Sequence, residues 1–145
     1  MQERKIELYH DIMYQIIGAI YNVHNEMGPG LNEYVYQEAL ALEFAEQKIP
    51  FVREKEIALT YRNQPLKATY RLDMLCYNSA IIECKSVESL SQNHRAQLFN
   101  YMRLVNAPMG ILVNFAQRNA VIERYFYDKE TKEICDINGN PFSQK

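Results

Sequence analysis

Apolar positions recur at two different spacings along the chain, and these spacings separate helical from extended parts. Over residues 5–27 they follow one another at steps of three and four, which predicts an amphipathic helix. Gly28-Pro29-Gly30 ends this helix, because two glycines and a proline do not continue it. Asn32 is a suitable N-cap for a second helix, which is expected to end before Pro50.

The period then changes to two. Residues 51–62 and 66–77 hold alternating, β-favouring side chains, and Asn-Gln-Pro at 63–65 predicts a hairpin turn between them. Asn78-Ser79 predicts a second turn. It leads into a short, mostly apolar strand over residues 80–87.

Helical spacing returns over residues 91–106, and residues 109–115 and 121–127 predict two more strands. The helix between the third and fourth strands is expected to act as a crossover that makes these two strands parallel. The predicted fold class is therefore α/β, a sandwich with a mixed central sheet of about five strands flanked by helices. The polar stretch from about residue 128 is expected to be a loosely ordered tail.

Length and composition are those of one globular domain spanning residues 1–145. Nothing in the chain resembles a repeat, a low-complexity tract or a linker. The formal charge of −2 counts mildly against a nucleic-acid binder, which usually has a basic face. A carboxylate-rich metal site lowers the net charge without removing a local basic groove, so nucleic acid is not excluded.

The cellular location is indicated by the N-terminal residues, the apolar runs and the cysteines. The charged start MQERKIELYH does not resemble a signal peptide, and no apolar run is long enough to span a membrane. The three cysteines show no C-x-x-C spacing, which is typical of reduced thiols. We therefore expect a cytoplasmic protein with no membrane partner.

Three charged residues lie inside strands where folding alone would favour apolar ones. Asp73 is in the second strand, and Glu83 and Lys85 are in the third. Side chains alternate along a strand, so Glu83 and Lys85 share a face and Cys84 points away. Pairing about the turn at residues 78–79 places Asp73 level with Glu83 or Cys84.

This cluster has two interpretations from the residues alone. Two carboxylates beside an ammonium are suited to Mg²⁺, which takes oxygen ligands and keeps several waters for use with a phosphate substrate. The same charges also fit an ion-pair ladder on an exposed sheet face. Spacing by itself leaves both open.

The motifs in their order resemble a known family. Asp73 followed by Glu83-Cys84-Lys85 resembles the D…E-x-K core of the PD-(D/E)XK nuclease superfamily, with Leu72 in place of the proline. Gln97 and Tyr101 resemble the Q-x-x-x-Y helix motif of its RecB-like and lambda-exonuclease-like branches. The stretch from Gly30 to Tyr36 matches G-x-x-E-x-x-Y and, with Val23-His24 and Gly28-Pro29 before it, resembles the small GxxExxY family. The resemblance runs from about residue 16 to residue 127.

The resemblance implies roles for individual residues. Asp73 and Glu83 would bind the metal together with the backbone carbonyl of Cys84, and Lys85 would position the water and stabilise the transition state. Glu33 would complete the site, directly or through water. Gln97 and Tyr101, four apart on one helical face, would brace the site or contact the substrate backbone.

The implied function is that of a nuclease, a hydrolase with Mg²⁺ or Mn²⁺ as cofactor and nucleic acid as partner. DNA is favoured over RNA. The alternative is a catalytically weak or silent nuclease fold that serves as a nucleic-acid-binding or regulatory subunit, and a second alternative is a phosphodiesterase for RNA or a small nucleotide. A chain of this size has little surface for gripping a duplex, which favours a homodimer or a larger complex.

Other polar residues have both structural and functional interpretations. Glu38 is expected to be exposed and His24 to be partly buried or to cap its helix. His94 and Arg95, at the start of the third helix, are placed either to contact phosphate or to form a solvated first turn. A basic rim along the first two strands, or ordinary mixed surface charge, explains a further set of four residues: Arg53, Lys55, Arg62 and Lys67.

Overall fold

The computed structural model describes residues 3–142, with side chains from residue 7 onward. A single mixed sheet lies between two helices on one face and one helix on the other. The helices are α1 (Glu3–Met27), α2 (Glu33–Glu46) and α3 (Gln92–Val105), and the strands are β1 (Phe51–Tyr61), β2 (Gln64–Cys76), β3 (Ala80–Lys85), β4 (Met109–Asn114), β5 (Val121–Asp128) and β6 (Glu133–Asp136).

The strands lie in the sheet in the order in which they occur along the chain. All neighbours are antiparallel except β3 and β4, which are parallel because α3 carries the chain back across one face between them. The predicted fold class, an α/β sandwich around a mixed sheet with this crossover, is confirmed.

Alternation along the central strands separates two cores. Ile82 and Cys84 of β3 pack in the core beneath α1 and α2, whereas Ile81 packs in the core beneath α3. Helix α3 packs closely on Gly110 of β4: a Cβ there would lie 2.5 Å from the Met102 sulfur, so the Met102 side chain would have to shift. Glu83 lies on the same face as Ile81 and therefore on the α3 side.

Two details differ from the sequence-based expectation: the position of the first hairpin turn and an additional strand after Asp128. The first hairpin turns at Arg62 and Asn63, both with positive φ, so that Pro65 already belongs to β2 and pairs with Thr60. The sheet has six strands instead of about five. The stretch after Asp128, predicted to be loosely ordered, contains β6, which pairs with β5 and buries Ile134. Strand β6 has only four residues, two of them apolar, which is too few to show an alternating pattern in the sequence.

Candidate active site

Asp73 lies where strand β2 changes the face that it presents to the cores. Leu72 and Leu75 both pack beneath α3, while Met74 packs beneath α1 and α2. Residues three apart in a regular strand point to opposite faces, so β2 must be irregular between Leu72 and Leu75. On β1, Glu54 lies between the partners of Leu72 and Met74 and has a left-handed φ of 49°. The kink in the hairpin therefore falls at Asp73.

The backbone pairing of β2 with β3 stops beside this kink, and the two carboxyl side chains take its place. The last pair in register is Met74 with Ile82. Beyond it, the Cys84 N–H donates to Oδ2 of Asp73 over 2.8 Å, and the Asp73 N–H donates to Oε1 of Glu83 over 3.2 Å. Each carboxyl group thus binds a backbone N–H of the strand opposite, and the pair is fixed by the sheet itself.

Burial and mutual repulsion govern the charge on this pair. Burial raises the pKa of Glu83 well above its usual value, and the neighbouring Asp73 raises it further. Burial also raises the pKa of Asp73, although the Cys84 N–H, a hydrogen bond with Glu83 and the charge of Lys85 all oppose the rise. A carboxyl pair that resists carrying two negative charges is suited to binding a cation between them.

Lys85 follows Glu83 on the same face at the end of β3 and is half-buried. Its charge opposes the rise in the pKa values of Asp73 and Glu83, so the ammonium acts electrostatically on both carboxyl groups. Cys84 points into the opposite core, as predicted, and burial raises the pKa of its thiol. The thiol therefore stays protonated and takes no part as a nucleophile.

Glu33 reaches the same end of β3 from the first turn of α2. Its Oε1 accepts a hydrogen bond of 3.4 Å from the Ser86 N–H, and its charge raises the pKa of Asp73. Glu38 is exposed. The structure thus brings Glu33, and not Glu38, to the cluster.

The G-x-x-E-x-x-Y pattern has a structural explanation in this turn. Gly30 has a φ of 80°, which a residue with a side chain adopts only with strain, and its N–H donates to the Phe115 carbonyl. The Tyr36 hydroxyl donates to the Gly28 carbonyl over 2.5 Å and accepts from the Leu31 N–H, while its ring stacks on Phe115 at 4.2 Å. The first and last positions of the pattern fix the helix start from which Glu33 extends.

Helix α3 approaches the carboxyl pair through Tyr101. Burial raises the pKa of Tyr101, the negative charges of Glu83 and Asp73 raise it further, and a hydrogen bond with Gln97 opposes the rise. The ring also lies against Tyr70 of β2, with centroids 5.4 Å apart. Both residues of the predicted Q-x-x-x-Y motif are therefore on the face of α3 beside the site, with Gln97 exposed.

The segment that follows β3 is held by two residues that the sequence motifs did not indicate. The buried Asn114 of β4 accepts from the Val87 N–H and donates to the Val87 carbonyl. Gln117 donates to the carbonyls of Val87 and Glu88. A buried asparagine inside an apolar strand was the available signal for Asn114, since a buried amide needs partners.

The remaining candidates are accounted for structurally. Arg95 makes a two-point ion pair with Glu123, at 2.6 and 2.7 Å, and so joins α3 to β5, which is neither the phosphate contact nor the solvated turn considered from the sequence. His94 accepts from the Ser91 N–H in a capping box. Burial and the nearby Lys85 lower its pKa, so it is neutral at pH 7. His24 is buried and hydrogen-bonds the Gln117 carbonyl.

The donor set at the site fits a hard divalent cation that keeps several waters. Asp73 and Glu83 supply oxygens, the Cys84 carbonyl lies on the strand between Glu83 and Lys85, and Glu33 adds a third carboxylate nearby. Within residues 3–142, no three His, Cys, Asp or Glu side chains are grouped closely enough to hold a metal by themselves. A cation here would thus depend on backbone oxygen, water or substrate for its remaining ligands.

A mixed sheet between helices with a D…E-x-K cluster at the broken ladder defines the class of restriction-endonuclease-like folds. The sequence profile of the PD-(D/E)XK nuclease superfamily matches residues 10–125, and the chain belongs to this superfamily. Its members typically hydrolyse phosphodiester bonds and generally use divalent metals.

Other comparisons add to the fold. The crystal structure of SSO0001 is similar, with a TM-score of 0.52 and 22% identity over 67% of this chain. The match covers 52% of SSO0001, so the chain spans about half the length of that protein. A comparison with curated proteins finds no match. Among the described residues no helix is long and apolar enough to cross a membrane.

Proposed function

We propose that the chain is an Mg²⁺- or Mn²⁺-dependent nuclease that hydrolyses phosphodiester bonds in DNA, as a member of the GxxExxY branch. The observation that carries this proposal is the carboxyl pair of Asp73 and Glu83, fixed across the interrupted ladder with Lys85 alongside. A surface ion-pair ladder, the other interpretation of these charges, is disfavoured because Glu83 is only 4% exposed.

Asp73, Glu83, the Cys84 carbonyl and, directly or through water, Glu33 are the residues that would hold the cation. A bound Mg²⁺ or Mn²⁺ supplies Lewis acidity toward a phosphate oxygen and makes a bound water easier to ionise. The backbone N–H groups of Cys84 and Asp73 hold one oxygen of each carboxyl group in place and so limit the freedom that would be lost on binding a cation.

The other residues act on the substrate or on the carboxyl pair. Lys85 places a positive charge beside the position of the phosphate, where it stabilises the negative charge that develops during attack by water. Tyr101, held by Gln97, packs beside Glu83 and limits access of bulk water from the α3 side. Neutral His94, whose Nδ1 accepts from the Ser91 N–H, carries its proton on Nε2 and can donate a hydrogen bond at the rim.

The second candidate is a silent nuclease fold that binds nucleic acid or regulates a partner. The net charge of −2 and the small surface of the chain favour it, since both weaken the grip on a polyanion. A dimer or larger complex would supply the missing surface under either proposal.

Incubation of the purified chain with single- and double-stranded DNA and RNA, in Mg²⁺, Mn²⁺ or EDTA, tests the proposal. We expect cleavage of DNA in either metal and none in EDTA. Cleavage of RNA alone would correct the substrate. Binding without cleavage in both metals would favour the silent subunit and reject the enzyme.

A further inference from the structure

The first hairpin extends well beyond the body of the sheet. Strand β3 pairs with β2 only at residues 74–76, so β1 and β2 pair only with each other beyond the kink. We name residues 55–71 the arm. Every residue of the arm is exposed except Ile57 and Leu59. Tyr70 contacts Tyr101 of α3 and anchors the base, whereas the tip at Arg62 and Asn63 projects into solvent.

The arm differs in charge from the rest of the molecule. It carries four basic residues, Lys55, Arg62, Lys67 and Arg71, and one acidic residue, Glu56, for a formal charge of +3. The chain as a whole has a charge of −2, so the remainder carries −5. Ile57 and Leu59 pack in the core beneath α3, whereas Tyr61 and Leu66 near the tip stay exposed, so apolar burial does not explain the outer part of the arm.

Three of the four cations, Lys55, Arg62 and Lys67, are available for a ligand, while Arg71 lies opposite Glu56 in the strand register. The ion pair found in the described part of the chain, Arg95 with Glu123, involves none of them. Arg62 lies over the exposed ring of Tyr61, with its guanidinium carbon 5.4 Å from the ring centroid, within the about 6 Å of a cation–π contact. Arg53, which precedes the kink, donates instead to Gln37 of α2 and is not part of the arm.

The base of the arm lies next to the carboxyl cluster along β2. Arg71 is followed by Leu72 and then by Asp73, so the base of the arm begins beside the site. A ribbon of seven residues per strand extends roughly 23 Å at about 3.3 Å per residue. The major groove of B-form DNA is about 12 Å wide and admits a two-stranded ribbon, while the deep major groove of A-form RNA does not.

We propose that the arm lies along duplex DNA, in or across its major groove, with its cations on the phosphates, and so guides a backbone phosphate to Asp73 and Glu83. This inference rests on the proposed function and adds the form of the substrate and the surface that grips it. Charge complementarity selects a polyanion over a protein partner for this exposed ribbon.

Binding without cleavage tests the arm separately from the enzyme activity. Fluorescence anisotropy of labelled duplex DNA, single-stranded DNA and duplex RNA in EDTA would compare the wild type with Arg62→Gln/Lys67→Gln. The matched control, Lys129→Gln/Lys132→Gln, removes two exposed charges from the turn between β5 and β6. Thermal unfolding would show that both variants fold.

We expect the arm variant to bind duplex DNA roughly tenfold to fiftyfold more weakly at 0.1 M salt, with a salt slope smaller by about 1.8, at 0.9 per lost phosphate contact. The control should bind like the wild type. Three results would overturn the proposal: no binding of duplex DNA by the wild type, equal losses in the two variants, or an equal loss on single-stranded DNA or duplex RNA.

Two further results distinguish failure of the arm from failure of the proposed function. Arm-dependent binding by a chain that cleaves nothing would support the arm and reject the enzyme. Cleavage with an unchanged KM in the arm variant would support the enzyme and reject the arm. A change in self-association measured by sedimentation, without a change in DNA affinity, would assign the arm to a protein interface and overturn the proposal.

Discussion

At the scale of single residues, the site is built from carboxyl groups that replace missing backbone hydrogen bonds. Asp73 and Glu83 each accept an N–H that a continuous ladder between β2 and β3 would have paired with a carbonyl. The arrangement satisfies the donors but keeps two acidic groups together in a mostly buried position. The metal-free site is therefore costly to stability, as functional sites often are.

Because the buried carboxyl pair destabilises the metal-free fold, a substitution that removes the charge of Glu83 is expected to be stabilising. Because the pKa of Glu83 is raised, the folded chain holds this proton more tightly than the unfolded chain does. The protonated Glu83 therefore stabilises the fold fully below the unfolded pKa of about 4.5, and this stabilisation is lost as the pH rises through the raised pKa. Glutamine stays neutral at every pH and keeps the acceptor for the Asp73 N–H. We expect Glu83→Gln to raise the free energy of unfolding at pH 8 by about 1–2 kcal/mol.

Urea unfolding in EDTA at pH 8 and at pH 5 measures this effect, with Glu88→Gln as an exposed control. The gain should shrink at the lower pH. A loss of stability at pH 8, or a gain that does not depend on pH, would show that Glu83 is not strained by its charge.

Lys85 is expected to contribute to turnover and not to the fold. Lys85→Ala should lower the rate of DNA cleavage by about 10²–10³, the usual cost of one preorganised electrostatic group. Metal affinity and unfolding should stay close to those of the wild type. Kinetic assays beside the exposed control Lys129→Ala would check this, and unchanged cleavage by Lys85→Ala would make the lysine structural.

Glu33 and Glu38 differ in position by more than one helical turn, which gives a matched pair of variants. Only Glu33 contacts the end of β3, through the Ser86 N–H. Calorimetric titration with Mn²⁺ should therefore show weaker binding for Glu33→Gln and wild-type binding for Glu38→Gln. Weaker binding in Glu38→Gln alone would reverse the assignment, and no change in either would leave a site made by the strands.

At the scale of elements, function depends on where helices begin and where strands break. The start of α2 is fixed by Gly30 and Tyr36, which aim Glu33 at β3. The kink in β2 places Asp73, and the Asn114 side chain fixes the segment after β3. Each device interrupts a regular element, as sites commonly do.

The last strand is also an element with a measurable role. Ile134 of β6 is 2% exposed and packs in the core beneath α3, whereas Ile137 just after it is 47% exposed. We expect Ile134→Ala to lower the free energy of unfolding by about 2 kcal/mol or more, as for other buried Ile→Ala changes. Ile137→Ala should have little effect. Denaturant unfolding of both compares them, and equal effects would mean that β6 adds nothing to the core.

Sequence periodicity predicted most of these elements because the burial that shapes them is local and repetitive. Sequence reasoning also predicted the N-cap at Asn32 and the parallel placement of β3 and β4. It did not predict the kink at Glu54 or the strand at residues 133–136. A left-handed glutamate and a four-residue edge strand are selected by tertiary contacts, which leave no period in the sequence.

The candidate site, like the fold, could be predicted from the sequence only in part. The placement of Asp73 level with Glu83 or Cys84 followed from counting outward from a turn, and in the structure Asp73 makes hydrogen bonds with both residues. Counting assumes a continuous ladder, so it did not predict that the carboxyl groups would occupy a gap. Asn114 and Gln117 lie far along the chain from β3. Only the folded structure shows that their side chains hydrogen-bond the segment that follows β3.

At the scale of the whole molecule, the distribution of charge matters more than its sum. The body of the chain is acidic and the arm is basic, which reconciles a net charge of −2 with a polyanionic substrate. The superfamily assignment covers residues 10–125, which include the cluster, the arm and the helices that flank them.

The central claim is that Asp73 belongs to a metal-dependent phosphodiesterase centre. The most direct test is cleavage of duplex DNA in Mn²⁺ by the wild type, by Asp73→Asn and by Asp11→Asn, an exposed control on α1. We predict cleavage by the wild type and by Asp11→Asn, and a loss of at least about 10²-fold in Asp73→Asn without loss of fold. Cleavage by Asp73→Asn at the wild-type rate would contradict the account.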